Sequence, residues 1–323
     1  MRAAALSLVL LAACGVTLDG GSDHPHGRLP VDERNPILLA NDGPYDNLQG
    51  EYAVLLAKAN RLPLAGIVVG SSPAWPDLES NVAGWRRFVD AARASGLGDV
   101  PYPTASIGPP LVRPADGDVD ETVPNASEGA RLIVDASTRV GSKSHPLVIV
   151  TGARLTDVAD AYLLDHRVVD RVFVVSSLGT VAAAGGAMGM PNGEMDPWAD
   201  AIVATRFRYV QVSAFYDQLG DLPTSILETL PANDFGAWIA AKQNRLYNLP
   251  EAADQVAVLA VGLPAFVAEV ATVSADPGAI TSGAGPPLVT NAAGPAWLVT
   301  GNASALATAR FWQLLLDPAT FIP

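Results

Sequence analysis

The chain has 323 residues, a formal net charge of −13, 49% hydrophobic residues and 16% charged ones. That apolar content supplies a sizeable core and excludes a disordered chain, and the length suits one large α/β domain or two small ones. The acidic balance, with no cluster of Lys and Arg, excludes nucleic acid as a partner, because phosphate binding wants grouped cations.

Met1-Arg2 precede an apolar run from Ala3 to Ala13, and then comes Cys14, the only cysteine. The run is too short to cross a bilayer as a helix and predicts an export signal over residues 1–14. Leu11-Ala12-Ala13-Cys14-Gly15 resembles a bacterial lipobox. That resemblance implies cleavage after Ala13, lipidation of Cys14 and a periplasmic or cell-envelope lipoprotein that meets the membrane only through its anchor. An ordinary signal peptide with a chance Cys is the other reading. Residues 15–34 are rich in Gly, Asp, Pro and His and read as a flexible tether. His24 and His26 lie in it, as solvated side chains rather than metal ligands.

From residue 35 to 323 apolar strands alternate with helices. Strands are predicted over 37–40, 64–69, 100–104, 147–151, 172–176, 209–212 and 297–300. Pro101 and Pro103 make the third of these an edge strand. Helices are predicted over 49–60, 78–95, 127–139, 157–165, 198–205, 224–230, 233–246, 251–271 and 304–316. In the second helix Val82, Trp85, Phe88 and Val89 share one face. Loops rich in Pro and Asp (108–124) and in Gly, Ala and Met (179–197) interrupt the pattern, and the second is long enough to lean functional. Short all-apolar strands between helices indicate a single α/β domain, with a mostly parallel central sheet flanked by helices. No internal repeat or linker divides it.

The first strand ends at Asn41-Asp42, a Gly43-Pro44 turn follows, and Asp46-Asn47 open a helix. Two acids and an amide at the carboxyl end of a parallel strand suit a hard cation or sugar hydroxyls. Each also has a plain structural role. Asp42 suits a turn, Asp46 or Asn47 a helix N-cap, Asp254 the first turn of its helix, and Asn192-Gly193 a simple turn.

The stretch from Ala40 to Asn47 resembles the nucleoside hydrolase signature D-x-D-P-G-x-D-D. Further along, Thr151-Gly152-Ala153-Arg154-Leu155-Thr156-Asp157 resembles the family's T-G-x-L-T-N turn, and Val172 to Gly179 its strand ending in M-G-G. Asn192-Gly193-Glu194-Met195-Asp196-Pro197 resembles N-x-x-x-D-P, Asp254 to Val258 resembles D-P-x-A-V, and Phe311 to Leu316 its closing helix. The order is the family's over residues 36–316. The resemblance, to the inosine/uridine-preferring family, implies Ca²⁺-dependent hydrolysis of the N-glycosidic bond of ribonucleosides or related ribosides. It implies Asp42 as metal ligand and base, Asn47, the Thr151 carbonyl and Asp254 as further ligands, and Asp46 and Asn192 as sugar-binding residues. The implied partner is a small nucleoside or riboside; the oligomeric state, a homo-oligomer included, stays open.

Four positions depart from the family pattern. Ala40 stands for an Asp, Asn47 for a ligand carboxylate, Ala253 for a His near the leaving base, and Pro73 follows Ser71-Ser72 where a sugar-binding Asn is common. A weakened Ca²⁺ site is the expectation, since ligand charge sets affinity. A non-catalytic relative that binds a ribosyl ligand is the alternative. His145 and His166 read as structural. Trp238 and Tyr247 either stack on a base or, with Phe235, Ile239 and Leu246, form a core stripe.

Overall fold

The structure, a computed structural model, describes residues 29–45, 48–60, 63–177, 191–212, 229–245, 254–275 and 288–323. The predicted signal segment, Cys14, Asp46, Asn47, Tyr247 and Ala253 lie outside the described residues.

Among the described residues nine strands form one sheet: β1 (Ile37–Asn41), β2 (Leu64–Val69), β3 (Pro103–Ala105), β4 (Leu147–Thr151), β5 (Val172–Ser177), β6 (Arg208–Val212), β7 (Val267–Ala275), β8 (Leu288–Thr290) and β9 (Ala296–Asn302). Their spatial order is β3-β2-β1-β4-β5-β6-β9-β7-β8. All pairs from β3 to β9 are parallel, and β7 and β8 add an antiparallel edge.

The helices are α1 (Gln49–Asn60), α2 (Leu78–Ala94), α3 (Glu128–Val140), α4 (Thr156–Leu164), α5 (Pro191–Glu194), α6 (Pro197–Arg206), α7 (Asp234–Arg245), α8 (Gln255–Gly262) and α9 (Ser304–Leu316). Successive strand residues point to opposite faces, so both faces of a covered parallel strand must be apolar. β1 shows this directly. Ile37 and Leu39 join the core beneath α1, α2, α7, α8 and α9, while Leu38 and Ala40 join the core beneath α3, α4 and α6. The described packing starts at Leu29, which with Val31 is buried in the first of these cores.

The 251–271 stretch departs from its predicted helix. α8 stops at Gly262, Pro264–Phe266 make a single 3₁₀ turn, and Val267–Ala275 run as β7 between β9 and β8. Pro264 lacks the N–H a continuing helix needs. Beyond it Val267, Val270, Thr272 and Val273 bring β-branched side chains that fit a pleated surface.

Candidate active site at the sheet's switch point

From β1 the chain goes to β2 and β3 on one side, then crosses to β4, β5 and β6 on the other. The strand order therefore reverses between β1 and β4, and the crevice beyond their carboxyl ends is where such sheets bind ligands. Asp42 follows β1 directly and is 5% exposed. Thr151 ends β4, fully buried, and its hydroxyl donates to the Ala153 carbonyl at 3.0 Å. Gly152 donates its N–H to the Ala40 carbonyl at 2.9 Å, tying the two strand ends together.

Asp254 reaches this crevice from the start of α8. Its side chain makes no capping hydrogen bond to its own helix. Instead Oδ2 accepts from Asn41 Nδ2 at 3.1 Å, and a Cβ on Gly152 would lie 2.1 Å from the Asp254 Cγ. Only glycine admits the carboxylate so close to β4. Asn41 Nδ2 also donates to Gln49 Oε1 at 2.8 Å, at the first residue of α1. Asn41 and Gln49 are thus site residues the sequence reading passed over. Two amides, one ending an otherwise apolar strand and one at a helix start, were the available signal.

Asp42 is held by several donors. The Gly43 N–H donates to Oδ1 at 2.6 Å, and the Ser72 hydroxyl bonds the carboxylate. Trp85 Nε1 donates to the Asp42 carbonyl at 3.1 Å. Burial pushes the carboxyl above its ordinary value, opposed by Ser72, the backbone N–H groups of Gly43 and Asp42, and the Arg154 guanidinium. The Trp75 ring lies against Gly43, where a Cβ would come within 2.2 Å of it, and Tyr45 bridges Trp75 to Trp238. Trp238 itself is 9% exposed, packs on Phe88 and donates its indole N–H to Glu51 at 2.7 Å. It belongs to the core stripe.

One strand further along, Asn192 is buried and donates Nδ2 to the Ser177 carbonyl at the end of β5, at 2.9 Å. Asp42 thus lies at the carboxyl end of β1, Thr151 at that of β4 and Asp254 against Asn41 and Gly152, with Asn192 one strand along on the same edge of the sheet. His145 is exposed against Ser144, and His166 stacks on Tyr162 at 4.4 Å, both away from the crevice.

A second polar layer supports the turn after β4. Asp196 caps α6 by accepting from Ala199 N at 3.0 Å, and it also accepts from Leu111 N at 2.9 Å and the Thr156 hydroxyl at 2.7 Å. Asp157 accepts from the Ser106 and Ser127 hydroxyls. Arg154 donates to the Gly108 carbonyl, and its charge draws down the Asp42, Asp157 and Asp196 carboxyls, all three of which burial pushes up.

Asp200, one turn after Asp196, is wholly buried with neither carboxyl oxygen hydrogen-bonded. Burial, and secondarily the Asp196 charge, raise its pKa far above the usual carboxylate range. The folded form then keeps a proton that the unfolded chain releases above about pH 4. Unfolding releases that proton, so Asp200 lowers stability as pH rises from there toward its folded pKa. Denaturant midpoints at pH 5 and pH 8 are expected to fall less in Asp200→Asn than in the unaltered chain. Equal slopes would contradict the assignment.

The polar side chains at these strand ends are carboxylates and amides, oxygen donors that suit a hard cation rather than zinc. Among the described residues no group of three or more His, Cys, Asp or Glu forms a metal cluster. Two carboxylates, Asp42 and Asp254, supply the charge.

No family model and no curated protein matches the chain. Solved structures do. An inosine-guanosine nucleoside hydrolase aligns with a TM-score of 0.64 at 15% identity, over 86% of this chain and 98% of its own. A purine-preferring ribonucleoside hydrolase from Gardnerella vaginalis aligns with a TM-score of 0.55 at 16% identity, over 88% and 99%. The fold is that of the nucleoside hydrolases. A type III effector protein, XopQ, solved as a complex with adenosine diphosphate ribose, aligns with a TM-score of 0.57 at 15% identity, over 91% and 97%.

Proposed function

We propose that this chain hydrolyses the N-glycosidic bond of ribonucleosides or related ribosides in the β1/β4 crevice. The observation that carries this is the placement of Asp42 and Thr151 at the carboxyl ends of β1 and β4, with Asp254 held against Asn41, at the switch point of a nucleoside hydrolase fold. Support also comes from solved neighbours named as nucleoside hydrolases and from one bound to a ribosyl ligand.

In this proposal Asp42, Asn47, the Thr151 carbonyl and Asp254 would hold Ca²⁺, which would supply Lewis acidity toward a water and charge toward sugar hydroxyls. Asp42 would be the base that takes a proton from the attacking water. Asp46 and Asn192 bind the ribose and orient its anomeric carbon. The oxocarbenium-like charge that develops there is stabilised by the nearby carboxylates.

A reducing-sugar assay on a nucleoside panel, with and without Ca²⁺, tests the activity. Ribose release that rises with Ca²⁺ is expected. Ligand binding without turnover on any riboside would instead point to a non-catalytic ribosyl-binding protein. Titration calorimetry tests the ion separately. Asn47→Asp restores a ligand charge and is expected to tighten Ca²⁺ by about tenfold; no Ca²⁺ binding in either form would remove the metal from the proposal.

A further inference from the structure

Three oxygen–oxygen contacts at the start of α4 need more hydrogens than the serines there supply. Ser106 Oγ bonds Asp157 Oδ1, and Ser127 Oγ lies 2.9 Å from Asp157 Oδ1 and 2.9 Å from Asp160 Oδ2. A hydroxyl carries one hydrogen, so two serines fill two of the three contacts. The backbone adds none to them. The Ala130 N–H donates to Ser127 Oγ at 3.2 Å, and the Ala126 and Ser127 N–H groups donate to Asp160 at 3.1 and 2.8 Å. An ionised Asp157 can accept the Ser127 hydrogen, but the Asp160 contact then has none. One carboxyl proton completes the set. Asp157 O–H donates to Ser127 Oγ, the Ser127 hydrogen goes to Asp160, and Ser106 donates to Asp157. Burial pushes the Asp157 carboxyl above its ordinary value against the two hydroxyls and Arg154, and the Asp160 charge adds to the rise.

The two serines mark the ends of one segment. Ser106 follows β3 and donates its N–H to the Val69 carbonyl at 2.8 Å, and Ser127 caps α3. Residues 107–126 run between them. They leave the sheet at the edge that carries the crevice, and the Arg154 bond to the Gly108 carbonyl joins them to the turn after β4. Ala126 ends the segment at φ 53, a left-handed conformation that alanine keeps only where its surroundings hold it. Asp157 ties both ends of the segment at once, and Asp160 holds the strained one. The Asp157 carboxyl is half-buried against α3, where a Cβ on Gly129 would lie 2.9 Å from its Cγ. Its charged surroundings are few. Arg154 and Asp160 flank it on its own side, α3 brings the exposed Glu128 and Arg131, α6 brings Asp196 through Thr156, and β2, β3 and residues 107–112 bring none. Ionising Asp157 sets a second negative charge across Ser127 from Asp160, and Arg154 offsets part of that repulsion.

We propose that Asp157, Ser127 and Asp160 form a proton-operated clasp. With one proton held between the two carboxyls, the ends of the 107–126 segment are fixed together beside the crevice; losing that proton as pH rises releases them. The clasp stands apart from the riboside reading, and its test needs no substrate.

Amide hydrogen exchange of Ala126, Ser127 and Ala130 in the whole chain, measured at pH 5 and pH 8, decides the matter. Rates are corrected for the intrinsic pH dependence of exchange and referred to amides of α9, so that a change in global stability, that of Asp200 included, cancels. In the unaltered chain, protection is expected to fall at least about tenfold between the two pH values, the effect of one pKa unit of coupling. Asp157→Asn donates to Ser127 Oγ through its amide at every pH and is expected to keep its protection within about twofold. Ser127→Ala removes the bridging oxygen and is expected to show the low protection at both pH values. Infrared spectra report the proton itself: the unaltered chain at pH 5 should show a protonated-carboxyl C=O band that Asp157→Asn lacks. An equal pH response in the unaltered chain and Asp157→Asn, no response in the unaltered chain, or the same infrared band in both would each overturn the clasp. Should Asp157→Asn fail to fold, Ser127→Ala decides alone: a pH response that survives there overturns the proposal, and its loss upholds it.

Discussion

Asp42→Ala is expected to lower riboside hydrolysis by about 10²–10⁴-fold, the usual loss when a positioned base is removed. The expectation follows from where Asp42 lies. It stands at the carboxyl end of β1, next to the β4 end, and is buried with its carboxylate bonded by Ser72 and the Gly43 N–H. Such a carboxylate is held in place and only partly solvated, which suits proton transfer in a fixed direction. Ala253 stands where the family pattern has a His near the leaving base. Substrates that need little protonation of the leaving group should therefore react faster, and p-nitrophenyl riboside should exceed inosine. Steady-state rates on both substrates check the claim. Asp42→Ala must abolish both, with a melting temperature close to the unaltered chain's; unchanged rates would remove Asp42 from the chemistry.

Where local pattern and tertiary demand agreed, the sequence was a sufficient guide. The strands β1, β2, β4 and β5 are short apolar runs because both their faces are covered. The ends of β1 and β4 at Asp42 and Thr151, and the start of α8 at Asp254, lie where the order of elements in the sequence puts them. β7 was not legible, because Val256 to Val261 and Val267 to Val273 have similar apolar content, and only Pro264 marks the change of period. The amides Asn41 and Gln49 were not either. Their role is to join β1, α1 and Asp254, a contact spanning 213 residues between Asn41 and Asp254, which no local pattern encodes.

The buried ion pair between α1 and α7 is of the same kind. Glu51 accepts from Lys242 Nζ at 2.8 Å and from Trp238 Nε1 at 2.7 Å, and the two charged side chains are 1% and 3% exposed. Burying two charges is repaid only while both partners are present. Lys242→Met leaves the buried Glu51 carboxylate without its cation, with the Trp238 indole N–H as its remaining donor among the described residues, and is expected to cost about 3–5 kcal/mol. Adding Glu51→Gln should restore most of that, because the amide oxygen still accepts from Trp238 and no charge remains. Denaturant midpoints of the two single variants and the double variant measure the coupling. A double variant no more stable than Lys242→Met would show that the charges are not what the core depends on. The consequence reaches the crevice, because Glu51 sits on α1 two residues after Gln49, whose amide holds Asn41 against Asp254. Loosening α1 from α7 should therefore weaken ligand binding in Lys242→Met, and the double variant should recover it together with stability.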